Sequence, residues 1–308
     1  MPRVLCFGEV LWDCLPWGRC LGGAPLNVAF HLRKLGIESY IVSAVGADDL
    51  GDEAVASMRN KGLPTLFVER SKTRPTGTVQ VELDGAGQPR FEILSDVAWD
   101  DIPVTDEILE LAAASDAVVF GTLAARSGRN RAALRRLLEI PGPRRVLDVN
   151  LRTPFDDLPR TEALCHHADL VKLNRAELAR LSGLAEAASA VPPEFDLQDA
   201  ILRLAKRVGS RSYCVTLGED GACYFGKEGR FTVPAPRVTV QDTVGAGDAF
   251  TAALVAGQIR DSSPAGTEAA LKNACALGAL IASLPGAQPA YDAAPFLAAP
   301  KLGRASPM

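Results

Sequence analysis

Along the 308 residues, short apolar runs rich in β-branched side chains alternate with longer runs whose apolar positions recur every three to four residues. The first kind has the length and composition of buried strands, the second that of helices with one face on a core. "RVLCFGEVL" reads as a first strand, "APLNVAFHLRKLG" as a helix stopped by Gly36, and "SYIVSAVG" as the next strand. "GDEAVASMRNKG" reads as a helix whose first turn is acidic, matching the positive end of the helix dipole, with a glycine stop. The alternation continues through "DAVVFGT", "NRAALRRLLEI", "RRVLDVN", "ADLVKLN" and "RSYCVTLG". Repeated βα units predict a mostly parallel sheet covered by helices, in which ligands bind beyond the carboxyl ends of the strands. The polar junctions "DVNLR" and "KLNRAE" are therefore where function is expected.

One stretch breaks the rhythm. Residues 76–96, "TGTVQVELDGAGQPRFEILSD", alternate with period two around a Gly-rich turn, which predicts a β-hairpin inserted in the βα series and leaving the main sheet. Phe91, Ile93 and Val97 are its candidates for one inward face. "EAASAVPPEFD" reads as a surface loop and "APKLGRASPM" as a frayed end.

Composition narrows the class. Hydrophobic residues make up 47% and charged residues 23%, and the formal charge is −4 with no Lys/Arg-rich block, so a phosphate-backbone binder is not expected. No run approaches a membrane span, and the N-terminus enters a buried-strand pattern directly, with Glu9 inside it, rather than a signal peptide. The seven cysteines are odd in number and contain no C-x-x-C pair. "CHH" at 165–167 has no second ligand pair at a useful spacing, which predicts structural roles and a reducing, cytoplasmic setting. His31 reads as helix packing, and Asp48 and Asp49 as loop and capping residues.

The stretch "QDTVGAGDAF", 241–250, follows a strand-like run, "PRVTV", and opens an apolar helix. Gly245 and Gly247 let backbone N–H groups point into one concavity, to which the helix start adds positive potential. That is an anion hole, yet it is neither a Walker loop nor a complete G-x-G-x-x-G. Asp248 would repel a resident anion. A passing phosphoryl group is different: one carboxylate must then deprotonate the hydroxyl that receives it. Taken alone, Asp248 is better explained as a helix N-terminal residue.

"DTVGAGDAF" resembles the C-terminal signature of the PfkB, or ribokinase-like, family of carbohydrate kinases, and "GGAPLNVAFHLRKLG" with "AVGADDLGD" resembles its first signature. The resemblance runs from about Val4 to Pro289, with the motifs in the family's order. It implies a single ribokinase-like three-layer α/β/α domain over 1–308, with a mostly parallel central sheet and a small β-sheet lid from about 12–21 and 76–100. Trp12 and Trp17 accompany the first of these lid segments. It implies Asp248 as catalytic base, with Gly245, Ala246 and Gly247 as the hole for the γ-phosphate. Asp13, Gly22, Gly23 and Asn27 would hold sugar hydroxyls, and Lys172 would meet phosphate. Asn174 and Glu177 match an N-x-x-E motif that organises the Mg²⁺ of Mg-ATP through water, and Thr216, Gly218, Gly221 and Asn273 would lie near the nucleotide. Asp242 and the backbone of Val244, opposite "GAQPA" at 286–290, match a K⁺ site in which Ala290 replaces the hydroxyl residue of some members. Members of the family often pair through their lids, which implies a homodimer.

The opening "GEVLWDCLP", the strand end "DVNLR" and "VFGTLAARS" resemble fructokinases, and Ala24 stands where ribokinases have a lysine. Fructose is the expected acceptor. Arg152 leaves 2-keto-3-deoxygluconate open, since a guanidinium pairs with a carboxylate. A catalytically silent binding relative would have lost the base, the glycines or N-x-x-E; all three are present here.

Overall fold

The computed structural model describes residues 1–15, 18–83, 89–186, 191 and 195–297, without the side chains of Leu15 and residues 81–83 and 89–91. Trp17, the hairpin turn, the side chain of Phe91, most of the loop expected at 186–196 and the frayed end lie outside the described residues.

The main sheet contains β1 (Arg3–Phe7), β4 (Glu38–Gly46), β5 (Val68–Ser71), β8 (Ala117–Gly121), β9 (Arg144–Asp148), β10 (Leu170–Asn174) and β11 (Ser212–Thr216), followed by β12 (Ala222–Gly226) and β13 (Gly229–Val233). β2 (Leu11–Leu15), β3 (Gly18–Gly22), β6 (Gly77–Leu83) and β7 (Pro89–Ile93) form a separate sheet. Among the described residues the main sheet has nine strands in the order β13-β12-β11-β10-β9-β8-β1-β4-β5. β5 through β11 in that order run parallel, and β12 and β13 are antiparallel at one edge.

The central strands are buried on both faces, which is why they read as continuous apolar runs. In β1, Val4 and Cys6 join one core cluster while Leu5 and Phe7 join the other. The first cluster is covered by α1 (Ala24–Lys34), α2 (Asp49–Asn60), α8 (Ala246–Arg260) and α9 (Pro264–Ala282). The second lies under α3 (Asp106–Ala113), α4 (Gly128–Leu138), α5 (Leu158–Cys165), α6 (Arg175–Leu181) and α7 (Leu197–Val208). The architecture is a three-layer α/β/α domain with a small β lid. A helix as apolar as α8 is stable only if enclosed. Gly257 lets α9 approach it so closely that a Cβ there would lie 2.4 Å from the Cβ of Ala270.

The lid sheet has the order β3-β2-β6-β7, with β6 and β7 as the antiparallel hairpin. Its root is fixed at two points, Leu50 of α2 and the Asp48 carboxylate that also caps α2. Trp12 Nε1 donates to Leu50 O (2.9 Å), Asp48 caps α2 through Gly51 N (2.8 Å), and the same carboxylate accepts from Thr76 N (2.8 Å) just before β6.

Two expectations need correction. The lid strand ends at Ile93, which is half-buried against the main core, and residues 98–100 form one 3-10 turn. Val97 and Trp99 belong to the core of the main body, where the indole covers Gly77. "PRVTV" forms no ladder, and Val238 and Val240 are 40% and 60% exposed. Its β-branched residues suit a strand, but Pro234 and Pro236 interrupt the supply of donors after the edge strand β13.

Asn130 of α4 secures the chain as it returns from the lid. The buried amide accepts from Ile102 N (2.9 Å) and donates to Trp99 O (2.7 Å) and Ala124 O (2.8 Å). Asn130→Ala leaves three buried backbone groups unpaired and should cost about 2–4 kcal/mol, read as a lowered urea midpoint at unchanged m-value. A loss below about 0.5 kcal/mol would show that the segment is held by other means.

Candidate active site

The carboxyl ends of the parallel strands collect the polar groups. Glu9 follows β1, Asp148 ends β9, Asn174 ends β10 and Thr216 ends β11. Strand register sets Lys172 beside Asp148 and Asn174 beside Thr216. α8 enters this row from above with its N-terminus open. Gly245 caps it at φ 78°, a left-handed conformation that suits glycine, and a Cβ there would meet Ala287 Cα at 2.6 Å. No side chain caps α8. The amide of Ala246 makes a turn bond to Thr243 O (3.3 Å), so the inward N–H groups of the first turn belong to Gly247 and Asp248.

Asp248 is buried at this helix start and accepts a hydrogen bond from Asn27 Nδ2 (2.8 Å). Burial is the main force on its carboxyl and pushes it up to about 6, aided by the nearby Asp148 charge; Asn27, Lys172 and Arg152 pull the other way. Lys172 Nζ binds Asp148 at 3.0 and 3.2 Å, and Thr251 Oγ1 donates to the same carboxylate (2.8 Å). Burial works against the Lys172 charge, but Asp148, Glu177 and Asp248 outweigh it and hold the ammonium above its usual range. Its Nζ lies 3.2 Å from where a Cβ on Gly247 would stand, so a fixed cation faces the open helix end.

Asp13 reaches down from the lid. It packs on Gly22, where a Cβ would lie 2.4 Å from Asp13 Oδ2. Gly23 approaches the backbone of Glu9 just as closely, with only 2.2 Å between a Cβ there and Glu9 O. Burial raises Asp13 to about 6 and Glu9 to about 7, and Arg152 opposes both shifts. Arg152 thus serves three raised carboxyls, those of Glu9, Asp13 and Asp248, from an exposed position two residues after Asn150, whose φ is 41°.

Asn174 and Glu177 form a capping box at α6: Asn174 Oδ1 accepts from Glu177 N (2.9 Å) and Glu177 Oε2 accepts from Asn174 N (2.8 Å). Glu177 Oε1 accepts from Leu151 N (2.8 Å), tying the Arg152 loop to the same point. Burial raises the Glu177 carboxyl against the pull of Lys172. Among the described residues no three acidic, His or Cys side chains gather as a metal cage. The exposed amide of Asn174 and the buried Glu177 are the residues that would hold an Mg²⁺ indirectly, through waters on nucleotide phosphates. The oxygens of Asp242 accept from Val244 N (3.0 Å) and Gly286 N (2.9 Å), closing one loop on another.

Thr216 and the turn with Gly218 and Gly221 lie at the β11–β12 corner, and α9, which carries Asn273, packs on β12 and β13. Gly221 adopts φ 100° against Val233 O. Asp148 and Thr251 carry no role in the sequence reading, although "DVNLR" contains the first. Glu9 was visible as an acid inside an apolar run. Among the described residues no helix is long and apolar enough to cross a membrane, and the seven cysteines are free thiols.

Compared with known proteins, residues 6–294 match the family model described as pfkB family carbohydrate kinase. Fructokinase-1 of Oryza sativa subsp. japonica is 29% identical over 311 residues, covering 93% of each chain. A fructokinase with bound ATP from Xylella fastidiosa superposes with a TM-score of 0.77 at 24% identity, over 93% of this chain and 94% of that one. Aminoimidazole riboside kinase from Salmonella enterica, complexed with aminoimidazole riboside and an ATP analog, gives 0.76 at 26% identity, over 96% and 100%.

Glu9 offers a test of the electrostatics. Its Oε1 accepts from Ala24 N (3.2 Å), and its buried Oε2 has no partner among the described residues. A carboxyl raised in the folded state stabilises fully below its unfolded value, and that contribution is lost as pH rises through the folded value, here about 7. Glu9→Gln should therefore match the wild type near about pH 4 but be more stable at about pH 8, by up to about 3 kcal/mol in urea unfolding. A variant less stable than wild type at the higher pH would contradict the assignment.

Proposed function

The chain belongs to the pfkB family of carbohydrate kinases, and on that premise we propose that it transfers the γ-phosphoryl group of ATP to a hydroxyl of fructose, with Asp248 taking the hydroxyl proton. The observation that carries this is the meeting of a buried, raised carboxyl with an uncapped helix start and the Lys172 ammonium.

The sugar lies between the lid and the strand ends. Asp13 and Asn27 grip hydroxyls, and Gly22 and Gly23 allow the close approach. The acceptor hydroxyl donates to Asp248 as its oxygen attacks the γ-phosphorus, and the bond to the ADP oxygen breaks in line. The N–H groups at the start of α8 and the Lys172 ammonium face the charge on the transferring group. Mg²⁺ bound with the nucleotide supplies charge neutralisation on the phosphates. The nucleotide itself extends toward Asn174, Thr216, Gly218, Gly221 and Asn273. The lid excludes water, which would otherwise compete for the phosphoryl group.

A sugar acid such as 2-keto-3-deoxygluconate is the second reading, favoured by Arg152 alone. The charge of that guanidinium is already shared among Glu9, Asp13 and Asp248, and a further carboxylate would enter among three acidic groups. This supports a neutral sugar. The relative that phosphorylates a riboside makes a broad test necessary. In an ATP-consumption assay over ketohexoses, pentoses, ribosides and sugar acids, fructose should show the highest kcat/KM; a sugar acid at the head of the panel would overturn the choice of fructose and make Arg152 its carboxylate partner.

Asp248→Asn keeps the size of the side chain and removes proton acceptance, so kcat should fall ~10²–10⁴-fold. In the wild type the base works only when ionised, so kcat/KM should rise with pH through about 6. Near-normal turnover in Asp248→Asn, or a rate flat from about pH 5 to pH 8, would remove Asp248 from the role of base.

A further inference from the structure

The segment after α9 lies against the start of α8 and is held on both sides of Gln288. Gly286 N donates to Asp242, and Ala287 O accepts from the ring of His31 (3.0 Å). Burial keeps His31 neutral, at about 4, so Nε2 carries its proton toward Ala287 O and Nδ1 accepts from Tyr291 Oη (3.0 Å). With its neighbours fixed, Gln288 reaches one group: its Nε2 donates to Asn27 Oδ1 (2.7 Å). Its own buried carbonyl oxygen has no partner among the described residues, so the side chain uses its donor, and uses it on Asn27.

An amide has a donor end and an acceptor end, and which end faces which neighbour is decided by the neighbours. Asn27 sits between two groups. An ionised Asp248 can only accept, so it requires the Nδ2 end. The opposite end, Oδ1, then needs a donor, and Gln288 is the donor present. We propose that Gln288 is a positioning residue that locks the amide of Asn27 with its donor end on Asp248, and so keeps that carboxylate a proton acceptor. The inference rests on Asp248 being the base. The charges that face Asp248 besides this relay are Asp148 at the end of β9, Lys172 on β10, Arg152 in the following loop and Glu9 after β1.

The relay makes a prediction that packing does not. Gln288→Glu keeps the size of the side chain but makes it an acceptor. Asn27 then turns its donor end to residue 288 and its oxygen to Asp248, which holds a proton to satisfy it. The acid limb of kcat/KM should move up by at least about one pH unit, so that activity at pH 7 falls about twofold for a rise of one unit and about tenfold for two, and recovers at higher pH. Gln288→Met has similar size and no polarity. It leaves Asn27 free to keep donating to Asp248, so the loss should stay within about fivefold and the limb should not move.

An added negative charge could raise Asp248 directly, and a double-mutant cycle separates the two routes. The Asp248 carboxyl is titrated by ¹³C NMR in the wild type, Gln288→Glu, Asn27→Ala and the double variant, a readout that needs no turnover. Acting through Asn27, Gln288→Glu shifts the titration in the wild type and has little effect once Asn27 is Ala. An equal shift in both backgrounds overturns the proposal, as does a limb unmoved by Gln288→Glu. If Gln288→Glu does not fold, Gln288→Asp, also acceptor-only, takes its place in the same cycle: a shift that vanishes once Asn27 is Ala supports the relay, and no shift, or an equal shift in both backgrounds, overturns it. Failure of the base reading is seen separately, as retained activity in Asp248→Asn.

Discussion

Everything in the cleft depends on keeping a carboxylate out of water without letting it take a proton permanently. Burial of Asp248 works toward the neutral acid, and the opposing interactions are few: one amide hydrogen bond, one ammonium and one guanidinium. Their balance leaves the group near 6, in the range where a base is ionised at neutral pH yet still has affinity for a proton. The open start of α8 is the other half of the arrangement. A capped helix would have spent its N–H groups on itself; this one, with glycine at the cap, presents them to the cleft.

The surrounding fold holds this balance from both sides. From below, β9 and β10 set Asp148 and Lys172 in register, and Thr251 of α8 binds the same carboxylate, so helix and sheet are joined through one buried ion pair. A buried pair is a weak source of net stability, because removing two charges from water offsets their attraction. Its evident use is position. From the side, α1 presents Asn27 and His31 one turn apart, and the two together fix the base and the loop that walls the anion hole.

Much of this was legible from pattern. The alternation of strands and helices, the hairpin that leaves the sheet and the misplaced acid in "VGAGDAF" are local features, readable within a few residues. The partners of that acid are not. Gln288 stands 261 residues from Asn27, and Asp148 stands 103 from Thr251, so chain folding alone brings them together. "PRVTV" shows the reverse failure: its composition suits a strand, but Pro234 and Pro236 interrupt the donors at and just ahead of its start, and among the described residues it joins no ladder. The period-two pattern stops at residue 96, whereas the family resemblance implies a lid to about residue 100; the chain has by then turned back into the core at Val97–Asp100.

The central claim concerns one group, so one titration tests it most directly. In the ligand-free protein labelled with ¹³C at aspartate carboxyls, the resonance absent from Asp248→Asn identifies the base. The account predicts that it titrates near 6. A resonance with its midpoint at about pH 4, where an ordinary aspartate titrates, would contradict it.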